Sequence, residues 1–169
     1  MVLIKASEAD IPLLQKIAEE SWRANYEGIL STAQMDYMLA QMYGNAALTA
    51  HFSNPDYEYY IIQPEDGKNV GLLGFEHHYE PGTTKLHRIY LLKECKGRGF
   101  GKQTMDFLKK EVAQLGDQRI ILNVNKGNPA LAFYQSQGFQ VYDEGVFDIG
   151  SGFVMDDYLM EFHISAGNK

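Results

Sequence analysis

Between an apolar strand candidate and an amphipathic helix lies the stretch Lys96-Gly97-Arg98-Gly99-Phe100-Gly101-Lys102. Glycines let main-chain amides turn inward with no Cβ in the way, and a helix start adds the positive end of its dipole. The stretch is an anion cradle of a kind that suits a phosphate or pyrophosphate. Its spacing excludes two nucleotide loops. A P-loop needs Gly, four residues, then Gly-Lys-Ser/Thr, but Lys96 stands at the first glycine and Gln103 at the hydroxyl position. A Rossmann loop needs G-x-G-x-x-G after the first strand of its unit, whereas this one reads G-x-G-x-G after the fourth. Lys93, Lys96, Arg98, Lys102, Lys109 and Lys110 add local positive charge. The plain alternative is a glycine-rich turn followed by a solvated basic helix face.

Other reactive side chains form weaker patterns. His77 and His78 are adjacent on a strand, so they face opposite sides and do not readily share a metal. Asp156 and Asp157 are adjacent in the same way; at most one faces a cleft, and a solvated edge is the expectation. Cys95 precedes the cradle in no nucleophile motif, and as a lone cysteine it rules out a disulfide framework or a multi-cysteine zinc site. No metal is expected.

The whole chain sets the background. Its 169 residues hold 22 acidic and 15 basic side chains, a formal charge of -7. Such a chain repels phosphate backbones and anionic lipid on average, so neither nucleic acid nor membrane is expected as a partner. An apolar fraction of 45% supports a folded core, and there is no apolar run of membrane-spanning length. With Met1 to Asp10 turning polar too soon for a signal peptide, the expectation is one cytoplasmic domain covering 1–169.

The elements that must position the cradle follow from periodicity. Val2 to Ala6 reads as a strand, and Ile11, Leu14, Ala18 and Trp22 mark one helix face. Pro12 belongs near a helix start, which favours Asp10 over Ser7 as the cap. Residues 32–52 carry one or two helices. Strands are expected over Tyr57 to Gln63, Val70 to Tyr79 and Leu86 to Leu92, with Pro81-Gly82 joining the last two. A helix opens near Arg98 and runs through Met105, Leu108, Val112 and Leu115 to a stop at Gly116. Ile120 to Val124 is a doubly buried strand. Asn128 caps a short helix that contains Phe133 and Tyr134 and stops at Gly138. Strands near Phe139 to Val146 and Phe153 to Ile164 close the chain. The fold class is α/β: a mixed, mostly antiparallel sheet of about seven strands with helices on both faces.

Lys96 to Gly101 resembles the R/Q-x-x-G-x-G/A signature of the GNAT superfamily of acyl-CoA-dependent N-acetyltransferases, with Lys in the first position. His87-Arg88-Ile89-Tyr90-Leu91 resembles the strand before that loop. Ala130-Leu131-Ala132-Phe133-Tyr134 with Gly138-Phe139 resembles the family's later helix, which carries a tyrosine and ends in Gly-Phe. Gly152 to Tyr158 and the loop region are similar to PaiA-type polyamine acetyltransferases.

The resemblance implies splayed central strands, acetyl-CoA as co-substrate, and direct transfer to a small cationic amine. It implies that amides from Gly97 to Lys102 hold the pyrophosphate and that main chain around Ile89, Tyr90 and Leu91 holds the pantetheine arm. Tyr134 corresponds to the tyrosine that hydrogen-bonds or protonates the departing sulfur. Asn128 stands six residues before it, where the family's asparagine stands seven before. Many relatives have a glutamate at the His87 position; histidine can serve there because its ordinary pKa of ~6.5 lies near working pH. Glu76 competes as the base, and a position some relatives use for a base falls near Asn123, which cannot titrate. Trp22 and Tyr26 are candidates for walls of the acceptor pocket, with Trp22 equally suited to the core. Acetylation of a peptide or protein N-terminus and a non-catalytic acyl-CoA-binding module are the alternative functions. A monomer or homodimer is expected.

Overall fold

In a computed structural model, which describes residues 1–95 and 97–164, a seven-stranded sheet has the order β1-β2-β3-β4-β5-β7-β6. The strands are β1 Val2–Lys5, β2 Tyr57–Gln63, β3 Gly71–Glu80, β4 Thr83–Leu91, β5 Arg119–Asn125, β6 Gln140–Gly150 and β7 Phe153–His163. The helices are α1 Ile11–Tyr26, α2 Thr32–Tyr43, α3 Asn45–Ser53, α4 Phe100–Leu115 and α5 Ala130–Ser136. The chain divides into two compact units, Met1–Glu76 with His87–Thr104, and His77–Leu86 with the chain from Met105 onward.

In the first unit β2 pairs antiparallel with both β1 and β3, in registers such as Ile4↔Ile61 and Tyr57↔Glu76. Leu14, Ile17, Ala18 and Trp22 are buried along α1, as their three- and four-residue spacing requires. Burial of an apolar side chain such as Leu14 contributes ~1.5–3 kcal/mol, which is what holds these helices in place. Asp10 precedes α1 as expected, but its carboxylate turns back to accept from the Ser7 N–H at 2.9 Å. Ser31 caps α2, its Oγ accepting from Gln34 N–H at 3.1 Å. The break between α2 and α3 falls at Gly44, where a Cβ would stand 2.5 Å from the Ala40 carbonyl oxygen. Only glycine fits that approach.

In the second unit β4 runs parallel to β5 through three registers, Thr83↔Arg119 to Lys85↔Ile121. This is a parallel pair in a mostly antiparallel sheet, and its ladder uses three of the nine residues of β4. The splay expected of the central strands accords with a ladder that short. β7 lies between β5 and β6, so it is an interior strand, not the edge that the Asp156-Asp157 pair suggested. Met105, Leu108 and Val112 of α4 are buried. Gly138 ends α5 at φ +93°, in the left-handed region, and Phe139 packs against Tyr134 and Phe162.

His78 also takes positive φ, 55°, which breaks the strand alternation expected of His77 and His78. Asp117 is the reason. Its carboxylate accepts from the His78 N–H at 2.9 Å and from Thr84 Oγ1 at 2.7 Å, with His78 Nδ1 at 2.7 Å. Burial opposes its charge, but these hydrogen bonds outweigh burial and hold the carboxyl below its ordinary value. No helix among the described residues is long and apolar enough to cross a membrane.

Candidate active site

The cradle is built by glycine geometry. Gly97 and Gly99 have φ of +82° and +80°, a region that costs other residues roughly 1–2 kcal/mol. A Cβ on Gly97 would meet no protein atom within 4 Å, and one on Gly99 only Gln103 Nε2 at 3.9 Å. Protein packing therefore does not demand the missing side chains; what they spare is open room beside the main chain. α4 opens at Phe100, two residues later than expected, so Gly101 and Lys102 lie in its first turn. That turn presents amides without intrahelical partners. The Arg98 guanidinium lies 4.7 Å from the Phe100 ring. Room, left-handed glycines and a helix start together fit an anionic group such as a pyrophosphate. Lys96 lies outside the described residues. Lys109 does not serve the cradle: its Nζ donates to the Gln137 carbonyl at 2.6 Å and lies over the Phe162 ring.

Upstream of the loop, the two candidate bases come together. His87 Nε2 stands 3.1 Å from Glu76 Oε1, and both side chains are partly exposed. Asn54 Nδ2 donates to the other carboxylate oxygen of Glu76 at 3.4 Å. The His87 ring stacks on Tyr57 at 4.8 Å and 14°, and Tyr57 stacks on His51 at 4.2 Å and 3°. A carboxylate can only accept, so it holds the proton on Nε2 and leaves Nδ1 as the lone-pair nitrogen of the neutral ring. The sequence set His87 and Glu76 as rivals; the structure makes them a pair.

Arg88 fixes the ring stack from behind. It is 6% exposed, donates through Nη1 to the Tyr57 hydroxyl and through Nη2 to the Met42 carbonyl at 3.3 Å. Its Cζ lies 4.6 Å from the Tyr43 ring centroid and 5.9 Å from that of Tyr59. Burial opposes the charge, but the surrounding tyrosine oxygens of Tyr43, Tyr57, Tyr59 and Tyr90 outweigh burial and raise the guanidinium above its ordinary value. Burial, with Arg88 behind it, pushes His51 down to about 4, so this ring is neutral at pH 7, with Nδ1 2.9 Å from the Tyr59 hydroxyl. Burial raises the Tyr57 phenol, so it too stays protonated.

Trp22 and Tyr26 are buried against each other at 4.7 Å, and Trp22 also meets the Tyr90 ring edge-on at 6.4 Å. Ile89, Tyr90 and Leu91 end β4 half-buried, and Leu91 packs on a cluster of Ile62, Val70, Cys95 and Phe100. Cys95 is thus a core residue.

In the second unit Tyr134 is buried on α5, with ring neighbours Phe133 and Phe139. Asn128 Oδ1 accepts from Ala130 N–H at 2.9 Å, a cap in the first turn of α5. Asp156 and Asp157 part company. Asp156 is exposed and pairs with Lys126 at 3.1 Å, whereas Asp157 is 6% exposed and hydrogen-bonds the Asn123 side chain. Burial pushes the Asp157 carboxyl up to about 6. Sequence reasoning passed over Arg88, Tyr57, His51 and Asn54 because nothing in their local pattern distinguishes them from ordinary strand or loop residues. The one available signal was the crowding of Tyr57, Tyr59 and Tyr60 in a single strand.

Residues 14–139 match the acetyltransferase (GNAT) family, and the chain belongs to it. It is an N-acetyltransferase. The spermidine N(1)-acetyltransferase of Thermoplasma acidophilum is 27% identical over 154 residues, covering 90% of this chain and 93% of that one. An uncharacterized N-acetyltransferase in the pepI 3' region of Lactobacillus delbrueckii subsp. lactis is 26% identical over 155 residues, 88% and 89% of the two chains. The crystal structure of PaiA N-acetyltransferase from T. acidophilum in complex with coenzyme A superposes with TM-score 0.80 at 24% identity, over 96% and 98% of the chains.

Proposed function

We propose that the whole chain, 1–169, acts in the cytoplasm as one acetyltransferase domain that moves an acetyl group from acetyl-CoA directly to a small cationic amine of the polyamine type. The His87–Glu76 pair carries this reading, because an amine of pKa ~10 must lose a proton before it attacks a thioester. The formal charge of -7 favours cationic acceptors, and a relative named for spermidine acetylation supports the same class. Amides of Gly97 to Lys102 would hold the pyrophosphate, in the room that the two left-handed glycines leave. Main chain around Ile89 to Leu91 would hold the pantetheine arm.

When bound, acetyl-CoA supplies the activated acyl group as a thioester. The protein supplies the proton traffic and the alignment. His87 Nδ1 would take a proton from the acceptor ammonium, leaving the neutral amine to attack, while Glu76 steadies the imidazolium that results. Tyr57, held by Arg88, keeps the imidazole ring in plane. Tyr134 would give its phenolic proton, or a hydrogen bond, to the departing sulfur. Asn128 fixes the first turn of the helix that carries this tyrosine.

The test is release of CoA thiol against a panel of polyamines, amino acids, aminoglycosides and short peptides. A polyamine should give the highest kcat/KM. Preference for peptides would favour N-terminal acetylation, and acetyl-CoA binding without thiol release from any amine would mark a non-catalytic module.

A further inference from the structure

We propose that Arg88 is a positioning residue for the base: its buried charge keeps the His87 imidazole unprotonated beside Glu76, ready to take a proton from the acceptor. The inference rests on the His87 base reading above and deepens it.

The whole arrangement lies within the first unit. Arg88 is 6% exposed, and its Nε has no hydrogen-bond partner. Around it stand the Tyr57 hydroxyl, the Met42 carbonyl and the rings of Tyr43 and Tyr59, with no carboxylate among them. Burial raises the phenols of Tyr43, Tyr57, Tyr59 and Tyr90, so none of them ionises to supply a counter-charge. A buried cation in this state is costly, and a side chain with no task beyond packing would be apolar here.

The charge sits where it acts on two imidazoles. Arg88 holds the hydroxyl of Tyr57, and both His51 and His87 stack on that ring, at 4.2 Å and 4.8 Å. On His51 the effect is visible: burial, then the charge of Arg88, bring it down to about 4. His87 meets an opposite pull as well. Glu76 from β3 stands 3.1 Å from its Nε2 and favours the imidazolium. Tyr57 from β2 and Asn54 also meet the pair, and both are neutral. A His87 held protonated by Glu76 could accept nothing from an ammonium. A cation at the rim of the Tyr57 ring opposes that state through the protein interior, where charges are felt more strongly than in water. Glu76 fixes the tautomer; Arg88 keeps the Nδ1 lone pair free.

The experiment is the pH dependence of kcat/KM for spermidine at saturating acetyl-CoA, in wild type, Arg88→Met, Arg88→Lys and His87→Gln. In Arg88→Met the acidic limb should move up by about one pH unit, so that kcat/KM falls about tenfold on the limb and less than about threefold on the plateau. Arg88→Lys, which keeps the charge without the fork, should hold the limb near its wild-type position. Three results overturn the proposal: a limb that moves less than about 0.3 unit in Arg88→Met, a loss equal at every pH, or a limb that Arg88→Lys shifts as far as Arg88→Met. If Arg88→Met does not accumulate, Arg88→Gln gives the same comparison. An acidic limb that survives in His87→Gln removes the base reading, and this inference with it. A limb lost in His87→Gln yet unmoved in Arg88→Met sinks this inference alone.

Discussion

Removing the charge of Asp157 should stabilise the protein, and the gain should depend on pH. Its carboxyl sits at about 6 in the folded chain, against an ordinary 3.8, because burial disfavours the ionised form. Its neighbour Asp156 pushes the same way, while the Asn123 hydrogen bond and the charge of Lys85 pull against it. Between the two values the folded state binds the extra proton and the unfolded state does not, so stability falls as pH rises through that window. Below about pH 4 the group costs nothing; above about pH 6 the cost is fully present. A difference near two pK units is on the order of 2–3 kcal/mol. In a chain of this size that corresponds to roughly 4–12 °C in Tm. Asn keeps the shape and drops the charge. Urea and thermal unfolding of wild type and Asp157→Asn, measured between pH 4 and 8, should show a stability difference near zero at the acid end. It should grow to its plateau near neutrality, with the variant the more stable. A difference that ignores pH, or an Asn variant less stable at pH 7, would show that the carboxylate is satisfied in the fold and refute the reasoning.

Four further outcomes are expected. Tyr134→Phe should lower kcat toward the ~10²–10⁴-fold range of general acid catalysis and leave acetyl-CoA affinity nearly unchanged, as measured where chemistry limits the rate. His87→Gln should remove the acidic limb of the pH–rate profile, and adding Glu76→Gln should cost little more, because the two act as one unit. Gly99→Val should abolish CoA binding in calorimetry with the fold intact by circular dichroism, since φ of +80° disfavours a branched residue and its side chain would fill the open room left for the phosphate. Asp117→Ala should lower stability by on the order of 2 kcal/mol in denaturant unfolding, because it strands the part-buried His78 N–H and the buried Thr84 hydroxyl.

Local patterns carried much of the fold. The apolar spacing of α1 and α4, the Pro81-Gly82 hairpin and the Asn128–Gly138 helix limits are all short-range signals, and each element stands within a few residues of where periodicity put it. What failed was long-range. That β7 returns between β5 and β6 depends on pairing, and it turned a presumed edge Asp157 into a buried one. His78 takes positive φ because of Asp117, 39 residues away, a partner no strand pattern announces. At the candidate site the glycine loop was legible, since left-handed backbone selects glycine directly. The Arg88–Tyr57–His87 stack was not, for it joins residues from separate strands whose types are ordinary for a sheet.

The chain passes from one unit to the other three times, after Glu76, Leu86 and Thr104. On the ribosome, therefore, the two units do not emerge as successive blocks. The hairpin tip His77–Leu86 is made while the first unit is still incomplete, yet its partners Asp117 and β5 are translated only after that unit is finished. Until then Thr84 and His78 wait without their carboxylate. A nascent chain arrested after Thr104 would hold every residue of the first unit together with an orphaned hairpin tip, and no single cut could release the second unit whole.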